Sequence, residues 1–147
     1  MTYGAAARSY VRTQIETNTD PNQLVLLLYD GAIRFLEQAR SGCAKEDRRR
    51  RGEGLSRAIA IIGELNASLN VEAGGETATF LRSLYLAMLA ELPKVNLAND
   101  VTIIDRCLRY LTELRELWVS RVLGRETAAV QPVAAAKPEQ ASLSLSV

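Results

Sequence analysis

Apolar side chains recur at helical spacing in four long stretches of this chain, and that periodicity limits it to an all-α fold. The stretches cover about residues 21–43, 47–69, 76–97 and 101–123, and none shows the alternation typical of a strand. Because their connections are short, the pattern predicts an antiparallel four-helix bundle over residues 20–123.

Turn and cap residues predict the helix boundaries. Asp20 can cap the first helix, and Pro21 suits its first position. The pair Gly74-Gly75 should break the chain, and Pro93 should kink the third helix or end it early. The pair Asn99-Asp100 offers the cap of the fourth helix.

Both termini differ from the bundle. Residues 1–19 predict an amphipathic N-terminal arm, too short to be stable alone. Its apolar residues are Ala7, Tyr10, Val11 and Ile15. Residues 124–147 are mostly Ala, Pro, Gln and Ser with little to bury, so they predict a disordered tail.

Composition argues against several classes of function. The chain has 18 Lys and Arg against 17 Asp and Glu, so its net charge of +1 gives no general signal for nucleic acid. It has no histidine, the commonest general base and metal ligand, and nothing marks a catalytic constellation. We therefore expect no enzyme activity, no metal and no other cofactor.

The location expected for the chain is the cytosol. The N-terminus lacks the apolar core of a signal peptide, and no run of about 18 apolar residues could insert into a membrane. Cys43 and Cys107 both lie in helical patterns, and free buried thiols are favoured over a disulfide.

A run of four arginines, residues 48–51, has two interpretations. The first interpretation is a run of solvated charges at the start of a helix. The second is a contact with nucleic acid or an anionic partner. Glu46, Asp47 and Glu53 halve its net charge and no aromatic residue lies nearby, so the second interpretation is the weaker one.

The first and fourth helices have apolar faces wider than one core requires. On a wheel of about 100° per residue each apolar arc reaches about 180°, whereas a stripe of about 100° suffices for packing. In the first helix, Leu26 and Ile33 extend the arc to the border of the charged side. Either a crowded core uses both edges, or the extra surface forms a groove for a partner helix.

Short motifs stand in order along residues 3–119. They are YVRTQIET (residues 10–17), DPNQL (20–24), LYDGAI (28–33), AIAIIGEL (58–65), GGETA (74–78), NLAND (96–100) and the pair Leu117-Trp118. Together they resemble the flagellar secretion chaperone family FliS. That resemblance implies a four-helix bundle that binds the disordered C-terminal segment of flagellin, prevents premature polymerisation and delivers flagellin to the export gate.

The resemblance also implies partners and a site. We expect a monomer that forms a 1:1 complex with flagellin, contacts the flagellar export gate, and neither binds nucleic acid nor inserts into membranes. In the family the arm tyrosine, by position Tyr10, is linked to the partner surface. The predicted partner-binding residues are Tyr10, Val11 and Ile15 of the arm, Leu26, Tyr29 and Ile33 of the first helix, and Phe80 and Leu84 of the third.

Two departures from the family pattern lie in the third helix. Phe80 stands where the family often has Asn, and Leu86 where it often has Asp, so both changes are toward apolar. A different class of function stays open at this point, namely a generic helical adaptor that binds a regulatory partner helix.

Overall fold

All regular structure in residues 20–130, the part of the chain that the structure describes, is helical. The structure is a computed structural model. In chain order it contains α1 (Pro21–Lys45), α2 (Arg48–Ala67), α3 (Val71–Glu91), a 3-10 turn (Leu92–Lys94), α4 (Val95–Ala98) and α5 (Val101–Val130). The four long helices confirm the predicted all-α bundle.

Short polar side chains cap the four long helices, and those at Asp20 and Asp100 confirm the predicted caps. The cap carboxylates or amides accept a hydrogen bond from the backbone of the first turn, at 3.0 or 3.1 Å. They belong to Asp20, Asp47, Asn70 and Asp100. Each such cap typically contributes about 1 kcal/mol to helix stability.

Gly75 and Pro93 bound the regular part of α3. Gly75 has φ 59° and ψ −136°, a conformation that side chains with a Cβ avoid, so the first turn from Val71 is set apart from the rest. Pro93 cannot donate a backbone hydrogen bond, so α3 ends at Glu91 and the chain continues as a 3-10 turn. Both predicted breaks are confirmed.

α1 and α2 cross at close range because glycine stands at the contact. A Cβ added to Gly54 would lie 2.6 Å from the carbonyl oxygen of Phe35 and 2.7 Å from the amide nitrogen of Ala39. Only a residue without a side chain allows this approach, so Gly54 sets the spacing of the two helices.

α5 packs antiparallel along the other side of α1. Arg40 Nε lies 2.6 Å from Asp105 Oδ1, and a second ion pair joins Arg115 to Asp30. Near the start of α1, Trp118 Nε1 donates to the carbonyl of Asn22 at 3.1 Å. The ion pairs are exposed and contribute little to stability, so their main effect is to fix the register of the two helices.

The interior is filled mainly by large aliphatic side chains from every element. The largest fully buried side chains are Tyr85, Leu36, Leu55, Ile61, Ile62, Leu65, Met88, Leu92, Ile104, Leu111 and Val95. Cys43 and Cys107 are free and buried, as predicted, and burial raises the pKa of the Cys107 thiol to about 11.

One hydrogen bond crosses the bundle from α1 to α3. The hydroxyls of Tyr29 and Tyr85 lie 2.6 Å apart, and the two residues are only 4% and 2% exposed. The two helices are not close neighbours, because α1 adjoins α2 and α5. The pair therefore connects opposite corners of the bundle through its core.

Burial raises the pKa of both hydroxyls above the ordinary tyrosine value of 10.0. The unfolded chain loses these protons near that value and the folded chain keeps them, so their contribution to stability is complete below pH 10 and falls as pH rises further. In an alkaline titration followed at the tyrosinate absorption band, the folded protein and a Tyr29→Phe/Tyr85→Phe variant should gain the same absorbance until unfolding begins. A smaller gain in the variant would show that the pair ionises in the folded state.

The far end of α5 differs from prediction. The sequence places its end near Leu123, but the helix continues through Gly124 to Val130. Residues 125–129 (RETAA) include good helix formers, and one glycine inside a helix costs only about 1 kcal/mol. The predicted arm (residues 1–19) and the rest of the predicted tail (131–147) lie outside the described residues.

Candidate functional site

From Thr79 to Ala90, the side of α3 that faces away from the bundle carries no charged side chain, and most of it is apolar. We call it the α3 outer face, and it consists of Thr79, Phe80, Ser83, Leu86, Ala87 and Ala90, all exposed. Phe80 and Leu86 are 48% and 49% exposed, although large apolar side chains are usually buried. Their spacing follows that of the stripe with which a helix normally packs on another helix.

The two hydroxyls on this face are used within α3. Thr79 Oγ1 donates to the carbonyl of Gly75 at 3.1 Å, and Ser83 Oγ donates to the carbonyl of Phe80 at 2.7 Å. Neither hydroxyl is free to donate to another molecule, so the α3 outer face offers contact surface and little hydrogen bonding.

The outer sides of α1 and α5 carry charges along their length, whereas the exposed charges of α3, Glu72 and Glu76, lie only near its start. Residues 77–90 (TATFLRSLYLAMLA) contain a single charged residue, Arg82. By contrast, α1 exposes Asp30, Arg34, Glu37 and Arg40, and α5 exposes Arg106, Arg109, Glu113 and Glu116. A helix that is apolar on nearly every side is normally covered on every side.

The seam between α3 and α5 is the loosest of the bundle. Extended close backbone contacts join α1 to α2, α1 to α5 and α2 to α3, but not α3 to α5. Toward the end of α5, Leu117 is 37% exposed, and near the start of α3, Phe80 is 48% exposed.

Because α3 and α5 run in opposite directions, Phe80 and Leu117 lie toward the same end of the bundle. That end is also where α1 begins, since Trp118 contacts Asn22 there. Phe80 and Leu117 thus expose apolar surface at the end of the bundle where α1 begins.

The structure separates the predicted partner-binding residues into surface and interior. Phe80 lies on the α3 outer face, and Leu84 is half-buried at the edge of the core. Tyr29 is buried and bonded to Tyr85, so its visible contact is with α3. The predicted arm residues Tyr10, Val11 and Ile15 lie outside the described residues.

Leu26 and Ile33 are both half-buried on α1. Ile33 packs against the core, on the side where the ion pairs to Asp105 and Arg115 hold α5 against α1. Part of the wide apolar arc of α1 is therefore covered by α5. A role for either residue in binding a partner stays a prediction.

The arginine run begins α2 and has mostly structural contacts. Arg51 donates to Asn99 Oδ1 at 2.8 Å and to the carbonyl of Asn96 at 3.2 Å, which ties α4 to the start of α2. Arg49 pairs with Glu53, and Arg50 donates to Ser41. These bonds agree with the interpretation of the run as a helix start.

Several residues of the α3 outer face were not predicted as site residues, namely Thr79, Ser83, Leu86, Ala87 and Ala90. The sequence carries a signal for them, since residues 77–90 hold one charge where an exposed helix of this length carries several. Which side of α3 faces outward depends on the packing of α3 against α2, and no local pattern reveals that.

The arrangement is suited to binding and shows no reactive group. In residues 20–121 no three Cys, Asp or Glu side chains cluster in a way that could hold a metal ion. None of the helices in the described range is long and apolar enough to cross a membrane. What α3 offers is an apolar strip along a helix, to which another helix or an extended segment can pack.

Sequence comparison places the chain among flagellar proteins. The sequence model of the family described as "Flagellar protein FliS" matches residues 2–124. The flagellar secretion chaperone FliS of Salmonella typhimurium is 37% identical over 115 residues, which cover 76% of this chain and 85% of that protein.

Two further similar proteins are also flagellar secretion chaperones. Flagellar secretion chaperone FliSB of Pseudomonas aeruginosa is 34% identical over 116 residues, covering 77% of this chain and 92% of the relative. The Bacillus subtilis FliS chaperone is 31% identical over 110 residues, covering 75% and 80%. The matched region contains the whole of α1 to α4 and most of α5.

Proposed function

This chain belongs to the FliS family of flagellar secretion chaperones, and we propose that it binds the C-terminal segment of flagellin in the cytosol before export. Binding prevents premature polymerisation, and the complex delivers flagellin to the flagellar type III export apparatus. The chaperone acts as a monomer in a 1:1 complex and needs no cofactor. We call the bound segment of flagellin the client segment.

The observation that carries this proposal is the α3 outer face. A segment that buries apolar side chains inside a filament exposes them before assembly. It associates prematurely unless those side chains are covered. A chaperone for it needs an elongated apolar surface that stays soluble when empty. The strip from Thr79 to Ala90 has that character, because it is exposed, uncharged and supported by a fully packed core.

The sizes of the side chains along the strip suit a helix as the bound partner. Ser83, Ala87 and Ala90 are small, so the axis of an incoming helix can approach closely over them. Phe80 and Leu86 flank these small residues and can pack between the apolar side chains of the client segment. This is the helix-in-groove mode, with anchors spaced at three and four residues.

The arm has a place in the same proposal. Residues 1–19 precede α1, which begins at the end of the bundle where Phe80 and Leu117 expose apolar surface. In the free chaperone, that surface can be covered by Tyr10, Val11 and Ile15. When the client segment binds, these residues can leave the surface or contact the client segment themselves. Leu26 and Leu84 border the more open end of the bundle and would extend the contact.

Calorimetric titration of the purified chain with flagellin tests the proposal. We expect saturable 1:1 binding, and its loss when the last few tens of residues of flagellin are deleted. Equal affinity for intact and truncated flagellin would contradict the proposal and favour a generic helical adaptor with a different partner. The truncated flagellin should still form its native core, which circular dichroism verifies.

A further inference from the structure

Arg82 is the single charged residue in the apolar part of α3, and its side chain is not used by the protein. Its Nε is buried and has no hydrogen-bond partner. Within the described part of the chain, no hydrogen bond or ion pair involves its guanidinium group. By contrast, Arg51 of α2 donates a hydrogen bond to Asn99, and Arg57 of α2 stacks on the ring of Phe35 in α1.

Arg82 lies at the edge of the α3 outer face. It follows Thr79 by three residues and precedes Leu86 by four, so both are its neighbours on the helix surface. Leu86 is 49% exposed, so a segment that covers this leucine passes directly beside the guanidinium group.

A buried donor without a partner raises the free energy of the empty protein, and a matching acceptor relieves that cost. For a guanidinium group the matching acceptor is a carboxylate, because two parallel N–H groups can donate to its two oxygens.

We propose that Arg82 binds a carboxylate of the client segment and so fixes its position along α3. The inference rests on the proposed function, since it names the chemical group that the same site selects. Apolar contact along a strip of small residues permits a helix to slide, and one ion pair at its edge selects a single register. The surrounding strip carries no second cation, which favours one carboxylate over a polyanion such as nucleic acid.

The test is a double-mutant cycle measured by calorimetry. The chain and its Arg82→Gln variant are titrated with a peptide of the flagellin C-terminal segment and with derivatives of it. In each derivative one Asp or Glu is replaced by its amide, and in one more the C-terminal carboxylate is amidated. Arg34→Gln is the control, because Arg34 is an exposed arginine on α1, which is not adjacent to α3.

We expect Arg82→Gln to weaken binding of the parent peptide by about tenfold and Arg34→Gln to leave it within about twofold. One derivative should bind both chains equally, and it identifies the carboxylate, whether from a side chain or from the terminus. Arg82→Lys should recover only part of the affinity, because an ammonium group lacks the planar fork.

Three results overturn the inference. The first is an affinity that Arg82→Gln leaves unchanged. The second is a loss of affinity by the same factor for every derivative. The third is a melting midpoint that falls in step with the affinity. The last result would assign Arg82 a purely structural role. Absence of binding by the unaltered chain is a separate outcome, because it overturns the proposed function itself.

Discussion

Replacement of Phe80 with glutamate is expected to weaken flagellin binding by at least tenfold, about 1.4 kcal/mol, while the melting midpoint stays nearly unchanged. Phe80 is 48% exposed in the free chain, so a charge there remains solvated and costs the fold little. In the complex the same charge would be covered by apolar side chains without a partner, which typically costs several kcal/mol.

The matched control for this prediction is Leu97→Glu. Leu97 is 88% exposed on α4, at the end of the bundle away from Phe80, so the same change of charge should leave both stability and affinity unaltered. Calorimetry gives the two affinities and circular dichroism the two midpoints. Equal affinity of the Phe80→Glu and Leu97→Glu variants would remove the α3 outer face from the binding site.

Two glycines of α2 should respond in opposite directions to replacement by alanine. Gly54→Ala is expected to destabilise the protein by about 1–3 kcal/mol, because the new methyl would lie 2.6 Å from the carbonyl oxygen of Phe35 and α1 would have to move away. At Gly63 a Cβ would meet nothing within 4 Å, so Gly63→Ala should stabilise it by about 0.5–1 kcal/mol.

Both residues lie in the same helix, so the difference between them isolates the contact with α1 from helix propensity. Thermal or urea unfolding measures both free energies. Stabilisation by Gly54→Ala would mean that α1 and α2 cross less closely than the structure has them. Because the α1–α2 contact lies away from the α3 outer face, flagellin binding by the folded Gly54→Ala protein should be retained.

Local geometry explains why most of the fold was predictable. The spacing of apolar residues reports the helical repeat directly, and capping residues such as Asp20 and Asp100 act through hydrogen bonds to their own first turn. The break at Gly75 and the early end at Pro93 likewise follow from the backbone chemistry of single residues. None of these features depends on distant parts of the chain.

The packing partners of each face were harder to predict, because they depend on contacts far apart in sequence. The wide apolar arc of α1 suggested a groove, yet at Ile33 it is α5 that lies alongside, held by ion pairs between residues 65 or more positions apart. The candidate surface is instead clearest on α3, where Phe80 was predicted and Leu86 was noted only as a departure. The sequence signal for this surface was that residues 77–90 contain only one charged residue.

Methyl NMR of the chain labelled at Ala and Leu tests the central claim most directly. On addition of the flagellin C-terminal segment, the account predicts that the resonances of Leu86, Ala87 and Ala90 shift most, with Leu117 affected at the open end of the bundle. Leu97 should keep its position throughout. Shifts confined to Leu97, or a set of α3 methyl resonances unchanged at saturation, would contradict binding at the α3 outer face.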